Sequence, residues 1–286
     1  MINHLPLEIL PQPSDTSCGP TCLHAVYRYY GDAIGLEQII AEVPTLQDGG
    51  TLAVLLGCHA LRRGYRGTIY TYDLQVFDPT WFAQAEVEPR AGTPTPPGAV
   101  DQRAGTPTPP GAVDLSAKLS EQARCEDKRD ARLATFTQGY LEFLALGGVV
   151  RLEDLTTALI RRYLTSGRPI LTGCSATYLH RTSREFGPQG VADDIRGQPQ
   201  GHFVVLCGYD KETRQVLVAD PLQPNPLSAT YIYLVGIERV VAAILLGIVT
   251  YDANLLILEP PRAPLPDGRG SEPGRAPLAL RPDKGQ

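Results

Sequence analysis

Apolar residues recur at helical spacing in the first third of the chain. In CGPTCLHAVYRYYG the positions Cys22, Val26 and Tyr30 lie one helical turn apart, and Gly31 is a natural C-terminal stop. This pattern predicts a helix that begins near Cys18. GLEQIIAEV and GGTLAVLLGCHALRRG predict two more short helices, each bounded by glycine or proline, while TIYTYDLQVF alternates as a strand does.

The pattern changes in the second half of the chain. Residues 116–146 and 151–166 predict helices, and strands are then predicted for PILTGCSATYL, GHFVVLCGYD, RQVLVADP and ANLLILEP, with one helix near IERVVAAILLG. Helices followed by mostly adjacent strands are typical of an α+β fold with an antiparallel sheet. GHFVVLCGYD is apolar on both faces, so we expect it to lie centrally in that sheet.

Two segments have no apolar face to bury. Residues 89–114 contain RAGTPTPPGAVD twice, and this segment and the tail at 260–286 each hold seven Pro and four Gly. Two copies are too few to stack as a solenoid, which needs about three. The sequence therefore predicts one domain over 1–259, interrupted at 89–114 by a low-complexity insert, and a disordered tail. We expect deletion of both segments to leave activity nearly unchanged, and a docking role for them is the alternative.

Charge and apolar content exclude several function classes. The net charge is −5 and no basic patch is present, which argues against nucleic-acid binding. The longest apolar run, 240–249, is ten residues, half of a membrane span. The first residues lack the features of a secretory signal, and the six cysteines contain no C-x-x-C pair. These features predict a cytoplasmic protein with no membrane span and no disulfide framework.

Cys18 falls at the first turn of the first predicted helix. Unpaired N–H groups and the positive end of the helix dipole stabilise a thiolate there, and the thiolate is the nucleophilic form. We expect Ser17 to cap the helix and Gly19 to let a substrate backbone approach closely, and Pro20 is tolerated in a first turn. The alternative is that Cys18 is only a buried first-turn residue.

A thiolate nucleophile needs a base that a third group orients, and one predicted hairpin offers both. If a three-residue turn at 211–213 joins GHFVVLCGYD to RQVLVADP, then Asp210 faces Arg214, and His202 and Asp220 project from the same face. A loop with an even number of residues would place them on opposite faces. Because Pro221 follows, Asp220 should end its strand at the sheet edge. The alternative is an Asp that makes a turn and a His that is satisfied locally.

The remaining polar candidates are weaker. Gln12, in a proline-flanked loop, could supply a side-chain N–H to an oxyanion hole beside the Cys18 N–H. Cys22 lies a turn deeper than Cys18 and is predicted to be a core residue. The spacing of Cys18, Cys22 and His24, with no second pair downstream, is poor for zinc. The segment 180–200 either shapes the substrate cleft or is a solvated connection.

Taken together, these motifs resemble a known family. Gln12, then Cys18-Gly19 and Cys22 in QPSDTSCGPTCLHAV, with GHFVV at 201–205 and the Asp220-Pro221 pair, are similar to the bacteriocin-processing peptidases that remove double-glycine leaders, especially their stand-alone relatives. The resemblance implies a papain-like fold, with Cys18 as nucleophile, His202 as general base and acid, Asp220 as the group that orients His202, and Gln12 as oxyanion donor.

The resulting hypothesis is a papain-like cysteine hydrolase that cleaves a peptide or amide bond in a peptide or protein substrate. This chemistry needs neither a metal nor an organic cofactor. Three alternatives stay open: an acyl or amide transferase on the same scaffold, a catalytically silent peptide-binding domain, and a scaffold that acts through its proline-rich segments. An unidentified partner protein is also left open.

Overall fold

The structure, a computed structural model, describes residues 2–46, 49–82, 113–125, 131–250 and 253–261. The helices are α1 (Cys18–Tyr29), α2 (Leu36–Glu42), α3 (Ala53–Arg62), α4 (Leu115–Gln122), α5 (Ala131–Ala145), α6 (Thr157–Thr165), α7 (Ala176–His180) and α8 (Ile237–Leu246). The strands are β1 (Ile2–His4), β2 (Arg66–Thr71), β3 (Val149–Arg151), β4 (Ile170–Ser175), β5 (Glu185–Phe186), β6 (Val191–Ala192), β7 (Gly201–Asp210), β8 (Gln215–Ala219), β9 (Ile232–Gly236) and β10 (Asn254–Glu259).

Eight of the described strands form one sheet. Seven of them follow the order β3-β2-β10-β4-β7-β8-β9, and the eighth, β1, pairs with the C-terminal end of β7. All pairs are antiparallel except β2 with β3, which is parallel. The predicted α+β class is thus confirmed, with this one parallel pair as an exception to the antiparallel sheet. The central position predicted for β7 is also confirmed, since β4 and β8 flank it.

Core side chains cover both faces of the sheet. Phe203 and Val205 of β7 pack in one core with residues of α1, α3 and α5, whereas Val204 and Leu206 pack in a second core with residues of α6 and α8. Alternate residues of a strand point to opposite faces, so the two cores lie on opposite sides of β7. A strand that is apolar on both faces therefore fixes the centre of the fold.

The first helix begins at Cys18, as its periodicity predicts. Residues 18–27 are all buried, and Gly31, just beyond the helix, has the positive φ of 82° that glycine adopts readily. Ser17 does not cap the helix, contrary to expectation. Its hydroxyl group instead donates to the carbonyl oxygen of Ser14 and accepts from the Ser14 N–H, which closes the loop before the helix.

The hairpin β7–β8 reaches the predicted side-chain geometry by a different route. Asp210 pairs with Gln215 rather than Arg214, so the turn has the four residues 211–214. This even loop alone would place His202 and Asp220 on opposite faces. The register shifts by one residue between Leu206 and Gly208, which is a β-bulge. The bulge restores the parity, and Val205 pairs with Ala219.

Several elements differ from the sequence-based expectation. The strand predicted for TIYTYDLQVF ends at Thr71, and PILTGCSATYL splits into β4 and the short helix α7. Five strands were not predicted at all, namely β1, β3, β5, β6 and β9. Most of the insert predicted at 89–114 and of the tail predicted at 260–286 lies outside the described residues. Within the described residues, no helix combines the length and apolar character needed to cross a bilayer.

Candidate functional site

Three of the predicted site residues meet where the start of α1 lies against the start of β7. Cys18 opens α1, His202 is the second residue of β7, and Asp220 follows the last residue of β8. All three are buried, and Asp220 is completely inaccessible to solvent. The prediction that Asp220 lies at the edge of the sheet is wrong, because β9 pairs with the other side of β8. The hairpin and the helix therefore bring together residues that are 18 and 184 positions apart in the chain.

His202 contacts both partners that the hypothesis requires. Its Nε2 lies 2.7 Å from Asp220 Oδ1, and the Cys18 side chain is close enough to the ring to raise its pKa. Since Nε2 is occupied by Asp220, Nδ1 is the nitrogen left for the thiol. Burial lowers the pKa of His202, but the hydrogen bonds to Asp220 and Cys18 outweigh it and raise the pKa to about 10. Both neighbours therefore favour the protonated form of His202.

The carboxylate of Asp220 receives hydrogen bonds from every side. Oδ1 accepts from His202 and from the Leu222 N–H at 2.9 Å. Oδ2 accepts from Tyr233 Oη at 2.6 Å, Asn225 Nδ2 at 2.9 Å and His180 Nε2 at 3.0 Å. Burial alone would raise the pKa of Asp220, but these hydrogen bonds and the charge of His202 hold it well below its usual range. Asp220 is therefore an anion.

The sequence reasoning missed His180, Tyr233 and Asn225. His180 is 40 residues from Asp220 in the chain, and its side chain is only 2% exposed. Its position at the end of a strand next to β7 was the available signal, since Cys174 of β4 pairs with His202. The helix α7 was not predicted, and without it His180 could not be placed near the site.

The backbone of Gln12 is bound to Pro221, the residue that follows Asp220. The Gln12 N–H donates to the Pro221 carbonyl oxygen at 2.9 Å. Its side-chain amide donates to the Ser14 carbonyl oxygen at 3.0 Å, while its Oε1 is buried and has no hydrogen-bond partner among the described residues. The side-chain amide of Gln12 therefore binds within the loop that precedes Cys18. The role of Gln12 as an oxyanion donor stays a prediction.

The first turn of α1 presents backbone donors at Cys18. The first backbone bond of the helix joins the Thr21 N–H to the Ser17 carbonyl oxygen, so the N–H groups of Cys18 and Gly19 have no intrahelical partner. Gly19 has a different role from the one expected. A Cβ added there would lie 2.6 Å from Thr51 Cγ2 and 3.3 Å from a ring carbon of Phe203. Glycine is needed for close packing toward the protein interior.

Cys22 is a core residue, as predicted. It is fully buried, and its Sγ donates to the Phe203 carbonyl oxygen at 3.2 Å. Burial and the nearby Cys18 raise the pKa of Cys22. All six cysteines are free, and the described part of the chain contains no group of three or more His, Cys, Asp or Glu residues arranged for a metal ion. The Cys18, Cys22 and His24 spacing does not form such a group.

The segment 181–200 is exposed over most of its length and contains the hairpin β5–β6. Partial burial and the charge of Asp15, in the loop before Cys18, raise the pKa of Glu185. Large apolar side chains lie exposed on the segment, with Ile195 79% and Val191 57% accessible. Because the segment 181–200 joins His180 to the start of β7, both of its ends lie at the site, and we call it the rim.

Two comparisons with known proteins found a similarity. Residues 127–238 match the model of the Peptidase_C39-like family. This segment includes His180, His202 and Asp220, whereas Cys18 and Gln12 precede it. A solved structure from Bacillus anthracis, of a protein described as C39-like, is 12% identical, with 90% of this chain and 96% of that chain covered and a TM-score of 0.44. No curated protein matches the chain.

Proposed function

We propose that this chain, which matches the Peptidase_C39-like family over residues 127–238, cleaves peptide or amide bonds. In this proposal Cys18 is the nucleophile, His202 is the general acid and base, and Asp220 orients His202. The observation that carries the proposal is the buried series of contacts from Cys18 through His202 to Asp220. A peptide-binding groove without catalytic activity does not need a nucleophile in contact with an oriented histidine. Catalysis by a thiolate requires one.

The proposed reaction starts from a Cys18 thiolate beside a protonated His202 ring. Asp220 favours the protonated form of His202, and the positive ring together with the start of α1 favours the anionic form of Cys18. The sulfur attacks the carbonyl carbon of the scissile bond, and the π electrons of the carbonyl group move to its oxygen. His202 then gives its Nδ1 proton to the leaving amine as the C–N bond breaks, which leaves a thioester on Cys18.

Deacylation reverses these roles. Neutral His202 takes a proton from water, and the hydroxide oxygen attacks the thioester carbon. The C–S bond breaks, the carboxylic acid leaves, and the thiolate and imidazolium are restored. An amine in place of water would give a transferase by the same steps, which is the alternative reaction.

Negative charge on the carbonyl oxygen needs donors during both steps. The Cys18 N–H is free for this purpose at the start of α1. We assign the second donor to Gln12, whose Nε2 has one hydrogen beyond the one given to Ser14. Each donor of this kind contributes about 2.7 to 4 kcal/mol to lowering the barrier.

The substrate is proposed to be a peptide that lies along the rim formed by 181–200. The exposed apolar side chains of that segment suit apolar substrate residues. The six free cysteines favour a reducing compartment, and we propose that the protein acts in the cytoplasm.

The test uses the full chain and a panel of quenched fluorescent peptides that includes Gly-Gly sequences. The wild type and Cys22→Ala should cleave the same peptides, whereas Cys18→Ala should lose at least about 10³-fold in rate. Mass spectrometry of the products, with and without an added amine, separates hydrolysis from transfer. Equal cleavage by the wild type and Cys18→Ala would overturn the assignment.

A further inference from the structure

A second histidine shares the carboxylate that orients His202. His180 Nε2 lies 3.0 Å from Asp220 Oδ2, and the centroids of the His180 and His202 rings are 5.8 Å apart. The mechanism uses only Oδ1 of Asp220. Oδ2 and its three donors have no part in it.

Four neighbouring strands deliver side chains to this one carboxylate. β4 leads into α7 and His180, β7 supplies His202, β8 leads into Asp220, and β9 supplies Tyr233. Such convergence at one end of a sheet is built by the topology and not by a local turn. The strands are rigid supports, which suits a group that must be held in one orientation.

We propose that His180 is a positioning residue, which together with Tyr233 holds Oδ2 so that Oδ1 of Asp220 stays aimed at His202 Nε2. The inference rests on the proposed function of Cys18, His202 and Asp220. His180 touches neither the sulfur nor the substrate in this mechanism, and it acts through Asp220 alone.

The geometry gives the direction of the effect. The backbone N–H of Asp220 donates to the Tyr231 carbonyl oxygen at 2.8 Å, and this bond fixes the backbone but not the side chain. Its side-chain torsion is therefore set by what its two oxygens bind. Loss of the His180 donor lets the carboxylate turn toward Tyr233 and Asn225, which lengthens the bond to His202. Since that bond favours protonated His202, the affinity of His202 for its proton must fall.

The other titratable groups near the carboxylate do not offset this effect. Burial and the Asp220 anion raise the pKa of Tyr233, so its hydroxyl group stays a donor. The Cys22 thiol, also close enough to be influenced by Asp220, stays neutral because burial raises its pKa.

The test measures the pKa of His202 directly by NMR, in the full chain with labelled histidine rings. The chain has five histidines, so the ring signals can be assigned by single substitutions. His180→Leu removes the N–H donor and keeps a side chain of similar volume. His180→Gln keeps a donor, because its amide N–H can take the place of the histidine Nε2–H. His59→Leu is the matched control, because His59 is also buried and bonds Tyr27 and Glu42.

We expect proton binding by His202 to weaken about tenfold in His180→Leu, with wild-type titration in His180→Gln and His59→Leu. Tyr233→Phe removes another hydrogen-bond donor to Asp220 Oδ2, and it should also lower the pKa of His202. This variant supplies the test if His180→Leu does not fold. Wild-type titration of His202 in folded His180→Leu or Tyr233→Phe would overturn the proposal. This NMR readout does not depend on Cys18 chemistry, so loss of the proposed function would appear separately, as peptide cleavage by Cys18→Ala.

Discussion

Replacing Asp220 by Asn keeps the size of the side chain and removes its charge. Asp220 accepts two donors on Oδ1 and three on Oδ2. The amide has one acceptor oxygen and an NH₂ group with two N–H donors, so the NH₂ group must face donors whichever way the amide turns. The variant therefore loses the anion beside His202 and leaves buried donors unpaired.

The size of the effect follows from the pKa of His202. The difference between 6.5 and about 10 corresponds to a preference of about 5 kcal/mol for the protonated ring. The Asp220 hydrogen bond is the largest contribution that raises this pKa. If the pKa returns to about 6.5, the protonated fraction at pH 8 falls from about 99% to about 3%, which is roughly 30-fold, but at pH 6 it changes by less than about twofold.

The assay compares rates of peptide cleavage by the wild type and Asp220→Asn from pH 6 to pH 9. The loss should grow by about tenfold per pH unit above pH 7, on top of a constant loss from disturbed orientation. Asp210→Asn is the matched control, because Asp210 lies at the other end of β7 and bonds the turn residues Glu212 and Thr213. A loss that does not depend on pH, or one that Asp210→Asn reproduces, would refute the reasoning.

Two further substitutions test the loop and the helix start around the site. Gln12→Ala should lower kcat by about 10²- to 10³-fold with KM nearly unchanged in steady-state assays, and a loss below threefold would remove Gln12 from the oxyanion site. Gly19→Ala should lower the free energy of unfolding in urea by about 1 to 3 kcal/mol, because its Cβ would clash with Thr51 Cγ2. Thr51→Ser removes that methyl group and keeps the hydroxyl bond to the Pro44 carbonyl oxygen, so the double variant should regain most of the loss; no recovery would contradict the packing role.

Strong local patterns predicted the elements that carry Cys18 and His202. The helical periodicity after Cys18 and the apolar run of β7 both come from side chains that fill a core, so the sequence alone shows them. The strands β1 and β3, at three residues each, are too short to display a period. Their positions depend on pairing partners elsewhere in the chain.

The pairing of His202 with Asp220 was predicted for a reason that is only half right. Side-chain parity was the correct criterion, but the turn has four residues and the bulge between Leu206 and Gly208 corrects the parity. Turn length and bulges depend on local backbone conformation, such as the positive φ of 54° at Arg214. Strand periodicity does not reveal either.

Residues that act through tertiary contacts could not be predicted. His180 reaches Asp220 only because β4 lies beside β7, and Gly19 is required only because Thr51 and Phe203 pack against it. The sequence predicts a strand in the segment that leads to His180, but its periodicity shows neither which strand lies beside it nor what packs against Gly19. The family match over 127–238 includes His180 but does not reach Cys18.

The reactivity of Cys18 tests the central claim most directly. Iodoacetamide at pH 6, with alkylation followed for each cysteine by mass spectrometry, compares buried Cys18 with exposed Cys125 in the same molecule. A thiolate paired with protonated His202 should react at least about tenfold faster than Cys125, and His202→Ala should abolish that advantage. If Cys125 reacts as fast as Cys18, or if His202→Ala leaves the ratio unchanged, Cys18 is not an activated nucleophile.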